Sequence, residues 1–137
     1  MHESESSDLV VRGRRLERVW HGPGPKEAPT LVFLHEGLGS VSLWRDFPRR
    51  LAETTGCGAL VYSRAGYGRS DPSPPPWPVR FMHEEAAVLE EVMDQASVCE
   101  AVLVGHSDGG SIAIIHAGSH PPGRVRALVL LAPHVFV

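Results

Sequence analysis

The chain has 137 residues, enough for one domain with a core of its own. An apolar share of 42% beside 21% charged residues excludes a disordered chain, and a formal charge of −3 without a basic stripe argues against a general nucleic-acid binder. No uncharged apolar run is long enough for a membrane helix, and the polar start over residues 1–7 lacks the apolar stretch of a secretory signal, so a cytoplasmic protein is expected.

Taken in order, residues 1–7 are expected to fray. Residues 9–12 and 16–20 flank Gly13-Arg14 and suggest a strand pair at a sheet edge. His21-Gly22-Pro23-Gly24-Pro25 is a turn by composition. Leu31-Val32-Phe33-Leu34 is a short, continuously apolar run, as in a strand covered on both faces. A helix over about residues 41–54 follows, with Leu43, Trp44, Phe47 and Leu51 at helical spacing; Pro48 weakens it or marks a break. Arg45, Arg49 and Arg50 on it are too few and too interrupted for a binding stripe and read as a solvated face.

Ala59-Leu60-Val61-Tyr62 is the next buried-type strand, followed by a glycine-containing turn and the proline-rich loop over residues 72–78. The segment 79–95 predicts an amphipathic helix with Met82, Ala86, Leu89 and Met93 on one face. Strands are expected at residues 101–104 and 127–131, separated by a small-residue helix over 110–117. From residue 30 the order is β-α-β-α-β-α-β with short connections. Right-handed crossovers then build a mostly parallel sheet with helices on both faces, in one domain without a dividing linker.

The chemistry centres on Gly105-His106-Ser107-Asp108-Gly109. This Gly-x-Ser-x-Gly pattern lies between a strand and a helix, the context of a nucleophile elbow. Such a turn forces the serine into a strained backbone conformation and lifts its hydroxyl out of the sheet. Flanking glycines leave room where a Cβ would collide with the adjoining strand or helix. A serine hydroxyl is a poor nucleophile at neutral pH, so it needs a histidine base and a carboxylate to orient that base. The bland alternative for Ser107 is a side-chain cap on the following helix.

Three blocks in register carry a family resemblance. They are Leu34-His35-Glu36-Gly37-Leu38-Gly39-Ser40, Ser63-Arg64-Ala65-Gly66-Tyr67-Gly68-Arg69-Ser70-Asp71, and Gly105 to Gly110. Over about residues 9–137 the chain resembles the N-terminal half of an α/β-hydrolase fold protein, truncated after about the sixth strand. The resemblance implies that Ser107 is the nucleophile. Gly37 and Asp108 would supply the two oxyanion N–H donors, with Gly105, His106, Gly109, Gly110 and His35 supporting the elbow and loop. It also implies the chain order serine, acid, histidine, which puts the acid and the base beyond residue 137. Glu36 departs from the pattern, since glycine is usual there, and it places a carboxylate near the pocket mouth. A dinucleotide-type glycine loop fits the first block poorly, because the third glycine and a ribose-binding acid are lacking. The second block reads as a structural turn in which a Ser-Asp pair locks the loop, although Arg64 or Tyr67 could touch substrate.

Of the eight histidines, His35 is expected to hydrogen-bond within the oxyanion loop and His106 to point away from the reacting centre. His83 and His116 read as ordinary helix residues. His134 follows a strand on the sheet's carboxyl edge and is a weak candidate base. No histidine pair is read as having metal spacing, and no metal or organic cofactor is implied. Cys57 and Cys99 are expected to be buried, reduced thiols. The expected partner is a small acyl substrate, a carboxylic ester by default. The competing reading is a catalytically silent module of the same fold that binds a ligand or another chain. A cofactor-free lyase or oxygenase is a third.

Overall fold

The computed structural model describes residues 5–6, 8–37, 39–73, 81–120 and 123–132. Six strands form the main sheet. They are β1 (Glu5–Ser6), β4 (Arg18–His21), β5 (Thr30–Leu34), β6 (Gly58–Tyr62), β7 (Ala101–His106) and β8 (Val125–Leu131), in the spatial order β1-β4-β6-β5-β7-β8. Strands β6, β5, β7 and β8 are parallel, and β4 runs antiparallel to both of its neighbours. The expected mostly parallel sheet is therefore present. Residues 1–7 were expected to fray, yet Glu5 and Ser6 pair with Trp20 and Val19. The rest of that segment lies outside the described residues.

The expected edge pair is divided differently. β2 (Leu9–Val11) and β3 (Arg14–Leu16) make a separate two-stranded hairpin, and only β4 joins the main sheet. Arg12 and Gly13 both have positive φ, 53° and 75°, as a two-residue hairpin turn matching strand twist requires. Separation from the sheet lets Leu9, Val11 and Leu16 bury themselves against α2 (Phe81–Gln95).

Alternation along the strands builds two cores. In β5, Leu31 and Phe33 face α1 (Phe47–Thr55), joined by Ala59, Val61 and Val104. Val32 and Leu34 face α2 and α3 (Asp108–Ser119), joined by Leu60, Leu89, Met93, Leu103 and Ile112. All five residues of β5 and of β6 are buried, which is why both read as unbroken apolar runs. Fully burying each such large side chain stabilises the fold by about 1.5–3 kcal/mol.

The helix expected over 41–54 is broken, but not at Pro48. A short 3-10 turn (Ser42–Trp44) ends at Arg45, whose φ of 54° interrupts the helix. Pro48 then sits in the first turn of α1, where its missing N–H costs nothing. Gly56 closes α1 in a left-handed conformation, φ 75°, its N–H bonded to the Ala52 carbonyl. Arg49 pairs with Glu53 on the exposed face, in keeping with a solvated stripe. Among the described residues no helix is long and apolar enough to cross a membrane.

Candidate active site

β7 delivers the chain to Ser107, and α3 begins at the next residue. Ser107 has φ 56° and ψ −115°, a conformation that a non-glycine residue adopts only under strain. Its N–H bonds to the Leu131 carbonyl at 2.8 Å and its carbonyl accepts from Ser111 N–H at 3.1 Å, which pins the turn between β8 and α3. No side-chain cap links Ser107 to α3, so the capping alternative does not hold.

The glycines of the elbow are space requirements. A Cβ on Gly105 would lie 2.5 Å from the Gly109 carbonyl oxygen and 2.7 Å from Gly110 Cα. A Cβ on Gly109 would strike the Leu34 carbonyl oxygen and come within 2.8 Å of the His35 carbonyl oxygen. Helix α3 thus lies backbone to backbone against the end of β5. The loop after β5 and the first turn of α3 meet again at Gly37, where a Cβ would come 2.5 Å from Asp108 Oδ2. Gly37 and Asp108, the two expected oxyanion donors, therefore sit side by side.

His35 is buried beneath this loop, 2% exposed. Its Nδ1–H donates to the Glu36 carbonyl at 2.6 Å and its Nε2 accepts from the Arg64 N–H at 3.0 Å. The first bond is the one expected within the loop. Burial, with help from the Arg64 charge, lowers its pKa to about 4, so the ring is neutral near pH 7. Its ring meets Tyr67 edge-on, centroids 4.9 Å apart.

Arg64 takes the structural part expected of its turn, and it is fully buried. Its guanidinium donates to the His35 carbonyl at 3.0 Å and the Glu36 carbonyl at 3.4 Å, and it lies over the Tyr67 ring. Two carbonyls of the loop are thereby held from below. An arginine directly after a buried strand was the available signal. Glu85 lies near it on α2; burial pushes the Glu85 carboxyl up, and Arg64 opposes the shift.

The Ser-Asp pair locks its loop as expected. Ser70 Oγ donates to the Ser63 carbonyl at 2.5 Å and accepts from Glu17 N–H at 2.8 Å. Asp71 Oδ2 accepts from Arg15 N–H at 2.7 Å. Ser63 Oγ donates to Glu17 and accepts from Val41 N–H.

His106 points to the α1 side of the sheet, where its Nδ1 lies 3.8 Å from Glu36 Oε2 and its ring 6.4 Å from Trp44. Glu36 and His106 are both about two-fifths exposed. His83 is exposed. His134 lies outside the described residues. The cysteines differ from expectation: Cys57 is half-buried and Cys99 exposed, because Cys99 falls in the bend before β7 rather than in the strand.

His116 lies in the last turn of α3 and His120 just past its end, with their rings stacked 4.2 Å apart. With Glu90 of α2 they bring three ligand-type atoms within 4.8 Å of one another.

Residues 29–137 match the family model of the alpha/beta hydrolase fold, and the chain belongs to that family. It is 32% identical over 103 residues to the sn-1-specific diacylglycerol lipase of Danio rerio, covering 75% of this chain and 31% of that protein. It is 30% identical over 105 residues to a proline iminopeptidase of Lactobacillus helveticus, covering 76% and 35%. Among solved structures, the carboxylesterase CesB of Bacillus subtilis superposes with a TM-score of 0.77 at 28% identity, covering 96% of this chain and 44% of that one. A bacterial membrane phospholipase A gives 0.83 at 22% identity, a likeness of fold, and covers 96% and 40%. The chain thus spans about a third of the length of these curated relatives.

Proposed function

We propose that the chain carries the nucleophile half of a serine hydrolase acting on a small carboxylic ester or related acyl substrate. The observation that carries this reading is the backbone of Ser107, held at positive φ between β7 and α3 with no cap to make. Ser107 Oγ attacks the acyl carbon, and the carbonyl oxygen takes up negative charge. The N–H groups of Gly37 and Asp108 receive it; each such donor is worth about 3 kcal/mol in the transition state. Collapse expels the leaving group and leaves an acyl-serine, which water hydrolyses. In the family's chain order the acid and the base that takes the serine proton come after the nucleophile. The relatives' names range over a lipase and an iminopeptidase, which supports a reaction class rather than a substrate.

Covalent labelling by an activated phosphonate tests the reading. The native protein should label faster than its denatured form, and a Ser107→Ala variant should not label. Labelling no faster than in denatured protein would instead favour the silent binding module. The outward apolar residues Val129 and Leu131 of β8, 44% and 39% exposed, offer such a module a contact face.

A further inference from the structure

At the far end of α3 from Ser107, about 13 Å along the helix axis, a cleft of about 460 Å³ is lined by Glu90, His116, His120 and Arg124 among others. We propose that Glu90, His116 and His120 form a site for a divalent transition-metal ion of the zinc class, separate from the serine site. Two imidazoles and one carboxylate are a donor set that zinc accepts, and they suit calcium or magnesium poorly.

Two of the three donors are already adjacent. His116 Nε2 lies 3.2 Å from Glu90 Oε1. Two donors on one tetrahedral zinc ion stand about 3.3 Å apart, given bonds of about 2.0–2.1 Å. His120 Nδ1 is 3.0 Å from the His116 carbonyl, which can only accept, so Nδ1 carries the proton and Nε2 keeps its lone pair. Glu90 is oriented: Arg124 donates to its Oε1 at 2.9 Å while also gripping the Glu90 and Val98 carbonyls and Asp94.

Burial distinguishes this cluster from a surface ion pair, since His116 is 3% exposed. Its Nε2–H donates to Glu90, and a metal would take the place of that proton. The two imidazoles stack, centroids 4.2 Å apart and planes at 16°. Loading therefore requires the half-buried His120 ring to turn out of the stack, while His116 and Glu90 stay in place.

Titration of the untagged chain with Zn²⁺ alone, and separately with Co²⁺, tests the site. The expected result is one Zn²⁺ per chain, with the visible absorption of four-coordinate Co²⁺. His120→Asn, at the end of the helix, should weaken binding about tenfold or more, as should Glu90→Gln. His83→Asn, on the exposed face of α2, should leave affinity unchanged. No saturable binding below about 100 µM would overturn the proposal. So would a His120→Asn chain that binds as the native one does, or an equal loss in His83→Asn.

Discussion

The backbone N–H of Arg64 points at Nε2 of His35 across 3.0 Å, so the ring that ties Arg64 to the loop after β5 can serve only while it is unprotonated. Its folded pKa of about 4 lies below the ordinary value of 6.5. Above pH 6.5 the ring is neutral in both folded and unfolded chains, and the stability is complete. Between 6.5 and 4 the unfolded chain takes up a proton that the folded chain refuses, and about 3 kcal/mol is lost. Urea unfolding across this range should show that loss, and His35→Asn should lack this part of the pH dependence. An identical pH slope in the two chains would contradict it.

Strain at Ser107 makes the second expectation. Glycine adopts φ 56° without penalty, whereas alanine keeps the strain. Ser107→Gly should be more stable than Ser107→Ala by about 1 kcal/mol, although both lack the hydroxyl. Equal denaturation midpoints would show that the turn stores no strain.

The two ends of α3 should respond oppositely to the same methyl group. Gly109→Ala drives a Cβ into the Leu34 carbonyl, backbone that cannot move aside, and should cost about 3 kcal/mol or more. At Gly118 a Cβ meets nothing within 4 Å, and alanine should stabilise the helix by about 0.5–1 kcal/mol. Thermal unfolding of the two variants against the native chain measures both signs.

Much of this fold was legible because β5, β6 and β7 are buried on both faces and their neighbours are short loops. Apolar runs and crossover order then leave few topologies. The elbow was legible for a different reason: its glycines answer to steric limits that hold wherever a strand turns directly into a helix. What local pattern could not show depends on long-range partners. The hairpin of β2 and β3 looks like a sheet edge until α2 is seen beneath it. Arg64 looks like a loop residue until its guanidinium is found under two carbonyls. His116 looks like an ordinary helix residue until Glu90 arrives from another helix, 26 positions away. In each case alternation and spacing are local, while the deciding neighbour is distant in sequence.

The contact of Gly109 with the Leu34 carbonyl has a consequence for how such a chain tolerates change. The gap between the first turn of α3 and the loop after β5 is set by main-chain atoms, whose radii no mutation alters. Side chains around it can be exchanged without shifting the first turn of α3 against the loop after β5. Evolutionary drift in the two cores is thereby decoupled from the placing of the Ser107 turn against Gly37.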